Sequence, residues 1–144
     1  DPDAGARASI DAWREDVPEL VAPALALDVE AGAWPPLEVD LVVCINMVHI
    51  SPWSATEALF RRVRDVLVPG GHVYLYGPYR QVAVPTAPSN EAFDQSLRAR
   101  NPAWGLRALE DVLALAQDAG LMRLEVAPMP ANNLSVVLQR AHLA

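Results

Sequence analysis

The chain has 144 residues, 52% of them hydrophobic and 20% charged, with a formal net charge of −7. That length sets one domain as the default and gives a core that buries roughly 70% of the unfolded chain's surface, and the composition excludes a disordered chain. The acidity argues against nucleic acid as a partner, because phosphate binding needs clustered Lys and Arg. No apolar run approaches the roughly 20 residues of a bilayer span, and Asp1-Pro2-Asp3 opens no signal-peptide pattern, so no membrane partner is expected. Cys44 is the single cysteine, so no internal disulfide forms and a reducing cytoplasm is the expected compartment.

In chain order, residues 6–16 read as a helix, with Ala6, Ile10, Trp13 and Val17 at helical spacing and Pro18 ending it. Residues 24–29 read as a short strand. Residues 39–45 are a continuous apolar strand, as expected where helices cover both faces. A helix opens at Ser54, where Ser54-Ala55-Thr56-Glu57 matches a capping box, and Leu59, Phe60, Val63, Val66 and Leu67 form its apolar stripe. Pro69-Gly70-Gly71 stops that helix and turns the chain into a strand over 72–76. After an irregular loop over 79–89, residues 90–100 form a helix. Leu109, Val112, Leu113, Ala116 and Ala119 mark another helix, which Gly120 ends. Met122, Leu124 and Val126 alternate with Arg123 and Glu125 in the next strand, and 134–138 is the last. The short link over 128–133 makes these two an antiparallel hairpin. The alternation of elements predicts an α/β fold with a mostly parallel sheet and one inserted antiparallel strand.

Chemistry concentrates at two strand ends. The apolar run stops at Asn46, and His49, Ser51 and Trp53 follow; Val73-Tyr74-Leu75-Tyr76 runs likewise into Gly77-Pro78-Tyr79. In open α/β sheets, ligands bind at the carboxyl ends of strands. His49 has the side chain of a general base near neutral pH, and equally of a hydrogen-bonded wall residue or substrate contact. Trp53, Tyr76, Tyr79 and Trp104 either line an apolar substrate pocket or pack as core and lid. Asn90, Asn132 and Asn133 either hold a substrate or fix turns. Arg98 and Arg100 suit an anion or a solvated face. His49, His72, His142 and Cys44 are too scattered for a metal site, so no metal is expected. No Gly-x-Ser-x-Gly elbow supports a hydrolase, and no Gly-x-Gly-x-x-Gly loop supports a nicotinamide enzyme.

The segment from Asp40 to His49, the turn Leu67-Val68-Pro69-Gly70-Gly71-His72-Val73 and the closing hairpin resemble the class I S-adenosylmethionine-dependent methyltransferases. More narrowly, Asn46-Met47-Val48-His49-Ile50-Ser51-Pro52-Trp53, Tyr76-Gly77-Pro78-Tyr79, Ala87-Pro88-Ser89-Asn90 and Pro130-Ala131-Asn132-Asn133-Leu134-Ser135 resemble the methyltransferase-like family numbered twenty-six and its bacterial relatives. The resemblance implies a Rossmann-like sheet and S-adenosylmethionine as cofactor. It places Asp28 and its neighbour Val29 at the adenine, and Asn46 and Met47 beside the cofactor's amino-acid end, largely through backbone atoms. It implies methyl transfer to a small-molecule acceptor.

The family's Gly-rich cofactor loop and first two strands have no counterpart here, since none of the seven glycines forms Gly-x-Gly. The expectation is therefore a single, N-terminally truncated domain, inactive alone, with the strand over 39–45 as an exposed apolar edge. Such an edge invites pairing with a second copy or another chain. The rival reading is a non-catalytic α/β domain that binds or oligomerises through that edge.

Overall fold

The structure, a computed structural model, describes residues 1–32 and 34–141; His142, expected to be structural or exposed, lies outside the described residues. The elements are α1 (Ala4–Arg14), β1 (Val39–Ile45), α2 (Trp53–Val66), β2 (Leu67–Gly77), α3 (Pro88–Arg100), α4 (Leu109–Asp118), β3 (Leu121–Met129), a 3₁₀ turn (Pro130–Asn132) and β4 (Asn133–Arg140). They fall into two compact units, Asp1–Pro35 and Pro36–Ala144.

In the first unit, α1 is capped by Asp3, whose carboxylate accepts from Ala6 N at 2.6 Å, and no α1 residue is buried. The strand expected over 24–29 does not form. Ala24 N donates to the Asp11 carboxylate, Leu25 O accepts from the chain's amino terminus, and Leu25 is exposed. An apolar run becomes a strand only where a neighbour satisfies its backbone groups, and here side chains and the terminus do so instead.

The second unit holds one mixed α/β sheet in the order β1-β2-β4-β3. β1 and β2 are parallel, and β4 lies antiparallel to both β2 and β3. This is the expected inserted antiparallel strand, and β1 is the expected edge. The core is built on one face of the sheet. Cys44, Val73, Leu75, Val136 and Leu138 are buried, as are Phe60 and Val63 of α2, Leu97 of α3 and Val112 and Ala116 of α4. Cys44 packs there as a small hydrophobe, and burial pushes its thiol up to about 11.

Several expectations need correction. Leu41, Val43 and Ile45 are each more than half exposed, so β1 is not covered on both faces; a continuous apolar run does not reveal which of its faces has a partner. The helix α2 begins one residue early, at Trp53, with Pro52 as N-cap and no side-chain capping bond. Ser54 therefore sits inside the first turn, too late to cap. The Pro-Gly-Gly segment does not end the helix, which stops at Val66. It forms a bulge inside β2: Val39 pairs with Leu67 and Leu41 with His72, with Gly70 at φ 79°. In β3 the register shifts between Arg123 and Glu125, and Met122 and Leu124 are both about half exposed. Sequence alternation there does not separate inside from outside.

Candidate functional site

The parallel pairing of β1 and β2 ends at Ile45 opposite Tyr76. Asn46 follows at φ 60°, a left-handed conformation that Asn tolerates better than most residues. Its N–H extends the ladder to Tyr76 O at 2.9 Å, and its carbonyl accepts from His49 N and Ile50 N. β1 thus passes directly into one tight turn. β4 runs antiparallel, with Leu134 opposite Gly77, so Asn133 and the hairpin tip lie at the same end of the sheet. At that tip Ala131 and Asn132 both have φ 58°, a strained state for Ala.

A cavity of about 300 Å³ opens among these ends, lined by Asn46 and Pro78 from the strand tips, Ser89, Asn90 and Phe93 from α3, and Ala131 and Asn133 from the hairpin. A second, of about 220 Å³, shares Asn90 and Asn133 and reaches along Tyr79, Arg80 and Asn132. Asn46, Asn90, Asn132 and Asn133 are therefore brought together, as is Tyr79. A larger groove of about 720 Å³ lies between α2 and α4 among charged side chains such as Glu57, Arg61 and Asp118, away from the strand ends.

His49 packs behind the strand tips and is fully buried. Its Nδ1 accepts from Arg107 N at 3.4 Å, its carbonyl accepts from Gly105 N, and its ring meets Tyr79 edge-on with centroids 4.6 Å apart. Nε2 has no partner. Burial, reinforced by the charge of Arg107, pushes the imidazole down to about 4, so it is neutral at pH 7. The Tyr79 hydroxyl, also buried and without a partner among the described residues, is raised well above its ordinary value by burial.

Met47, Trp53 and Tyr76 are not among the residues that line these two cavities. Trp53 opens α2 beside a separate hollow formed with Leu106 and Arg107, the Arg107 guanidinium 5.9 Å from its ring centre. Tyr76 lies on the sheet between Ile45 and Ser135 and is half-buried. Met47 donates from its N–H to Ile45 O and accepts from Ser51 Oγ at 2.6 Å. The backbone N–H groups of both Asn46 and Met47 are therefore engaged, and the free group is the Asn46 carboxamide. Asp28 and Val29 belong to the first unit, where the Asp28 carboxylate accepts from Glu30 N and closes its own turn.

One cluster escaped the sequence reading. The buried Asp94 carboxylate accepts from Leu106 N at 2.7 Å, Arg98 Nε at 2.9 Å and Arg80 Nη2 at 3.2 Å. Burial alone would raise its carboxyl, but the Arg98 and Leu106 bonds outweigh that and hold it low. Arg80 also grips Glu91 at 2.7 and 2.8 Å, and its backbone pairs with Arg107 and Leu109. This clamp fixes α3, and so Ser89, Asn90 and Phe93, against the loop after β2. Gly105 follows from it: at φ 149°, a Cβ there would lie 2.8 Å from Asp94 and Arg98. The contacts span residues 80 to 109, and apart from the i,i+4 spacing of Asp94 and Arg98 no local sequence pattern signals them.

The sequence profile of the family described as "Protein of unknown function (DUF938)" matches residues 1–140. Solved structures share the fold. The S-adenosylmethionine-dependent methyltransferase SibL is 19% identical with a TM-score of 0.71, the match covering 94% of this chain and 41% of that one. Human N-acetylserotonin methyltransferase, solved in complex with S-adenosylmethionine, is 14% identical with a TM-score of 0.69, covering 81% and 33%. An O-methyltransferase family 2 protein from Planctomyces limnophilus, in complex with apigenin, is 16% identical with a TM-score of 0.68, covering 79% and 34%. The chain thus spans about a third to two-fifths of these proteins. At such identities the likeness is one of fold.

Proposed function

The chain belongs to the DUF938 family, and from that premise we propose that it forms the acceptor side of a class I methyltransferase that uses S-adenosylmethionine to methylate a small molecule. The observation that carries this reading is the cavity at the tips of β1 and β2, lined by Asn46 and Pro78, in a fold common to methyltransferases. The finer kinship, to the methyltransferase-like family numbered twenty-six, rests on the Asn46-to-Trp53 and Pro130-to-Ser135 segments.

The residues at the tip fit the amino-acid end of the cofactor through one group. The Asn46 carboxamide lines the cavity and makes no hydrogen bond of its own among the described residues, and it offers both a donor and an acceptor. When bound, S-adenosylmethionine supplies a methyl group already activated by its sulfonium. The protein's part is then alignment and exclusion of water. Phe93, Pro78 and Tyr79 give the cavities apolar walls, and the Arg80–Asp94 clamp holds the wall that carries Asn90. His49, covered and neutral, serves as the wall residue, positioning Asn46 and Gly77. Asp28 and Val29 are retained as proposed adenine contacts, and Trp53 and Tyr76 as outer walls of the acceptor site.

Calorimetric titration with S-adenosylhomocysteine tests the reading. Binding to this chain or to a form extended at its N-terminus, weakened at least tenfold by Asn46→Ala, is expected; no heat of binding to either would overturn it.

A second reading is supported by β1, an edge strand with Leu41, Val43 and Ile45 exposed. Pairing of this edge with another strand is proposed as the chain's route to association. No described helix is long and apolar enough to cross a membrane. A reducing, cytoplasmic setting is proposed from the free, buried Cys44.

A further inference from the structure

Hydrogen-bond directions in the cleft wall restrict what it can hold. Asn90 Nδ2 donates to the backbone carbonyl of Asn132 at 3.0 Å, and Asn133 Nδ2 donates to that of Pro130 at 3.0 Å. A carbonyl oxygen only accepts, so these contacts fix which end of each carboxamide faces the protein. Both side-chain oxygens are left without a donor among the described residues, and both residues line both cavities. Asn90 as a whole is only 8% exposed, and the side-chain oxygens of both residues are unused acceptors available to a bound donor.

Charge is absent from the 300 Å³ cavity, whose lining is carboxamide, hydroxyl and apolar. The smaller cavity contains Arg80, but its guanidinium is already matched by Glu91 and Asp94. On the Asn90 and Asn133 side of the cleft, a carboxylate or phosphate would face two carbonyl-type oxygens with no free cation among the lining residues, which is unfavourable on both counts.

We propose that the Asn90–Asn133 wall of this cleft selects an uncharged ligand that donates a hydrogen bond, from O–H or N–H, to the side-chain oxygens of those two residues. The ligand's role as methyl acceptor rests on the function proposed above; the selectivity itself rests on the wall alone. Phe93 and Pro78 add an apolar surface for a flat or hydrophobic body beside that donor.

The test is amide NMR titration of the 144-residue chain with three probes of one shape: 2-naphthol, 2-methoxynaphthalene and 2-naphthoate, at pH 7. Expected is saturable 2-naphthol binding at least tenfold tighter than either other probe, with the largest shifts at the side-chain amides of Asn90 and Asn133. Asn133→Ala should weaken 2-naphthol tenfold or more and leave 2-methoxynaphthalene unchanged. Equal binding of the ether, preference for the carboxylate, or no saturable 2-naphthol binding each overturns the proposal, and none of these depends on the variant folding. A parallel titration with S-adenosylhomocysteine separates the two claims. Naphthol selectivity without homocysteine-nucleoside binding to this chain or to a form extended at its N-terminus keeps the donor-selective cleft and removes methyl transfer; binding of the nucleoside with naphthoate preferred does the reverse.

Discussion

The imidazole of His49 occupies the space that a side chain on Gly77 would need: a Cβ there would lie 2.6 Å from Nε2 and 2.8 Å from Cδ2. The ring is fully buried and backed by Tyr79, so it cannot swing aside freely. Gly77→Ala should therefore destabilise by about 1–3 kcal/mol, the usual range for overpacking. Urea denaturation measures it. In a His49→Ala background the same substitution should cost far less, and an unchanged penalty would show that the two residues do not compete for this space.

The same ring makes stability depend on pH. His49 has a folded value of about 4 against 6.5 for a free histidine. Between those values the unfolded chain binds a proton that the folded chain does not, so stability is full above about pH 6.5 and falls as pH drops toward 4. At about 1.4 kcal/mol per pH unit the loss is roughly 3 kcal/mol. Denaturation midpoints at pH 7.5, 6 and 5 should decline in the wild type and flatten over this range in His49→Gln. Parallel declines in both proteins would contradict the assignment.

Asp94 makes a separate prediction. Asp94→Asn keeps an oxygen for Leu106 N but removes the charge held by Arg80 and Arg98. Both arginines are partly exposed, so solvent discounts the loss, and about 1–3 kcal/mol is expected. The amide signals of Ser89, Asn90 and Phe93 should shift with it, because the clamp fixes their helix. A variant with wild-type signals at the cleft would show that the clamp supports stability without positioning the site.

The residues show why some of this was readable beforehand. β1 is delimited at its carboxyl end, because Asn46 stops the apolar run. The hairpin was readable from its short link, and with it came the proximity of Asn132 and Asn133 to the strand tips. The start of α2 was misread because Ser54 and Glu57 satisfy a capping spacing that Pro52 pre-empts. The strand over 24–29 failed because pairing is a property of neighbours, not of an apolar run. The bonds of Arg80 to Glu91 and Asp94 and the seat of Arg107 on the carbonyls of Val48 and Ser51 join distant segments, and charged residues in a sequence do not name their partners.

The open edge yields a prediction about association. Val43 is 54% exposed on β1, and a lysine there should block strand pairing with little effect on the folded monomer. Sedimentation velocity should find concentration-dependent association in the wild-type chain and a monomer in Val43→Lys. A wild-type chain that stays monomeric at high concentration would remove the edge as an interface.

The most direct test of the account is where S-adenosylhomocysteine binds. Amide NMR titration of the chain should show saturable shifts centred on Asn46, including its side-chain amide, and on Gly77 across the strand tips. Shifts confined to the groove between α2 and α4, or none up to the solubility limit either in this chain or in a form extended at its N-terminus, would contradict a methyl-donor site at this end of the sheet.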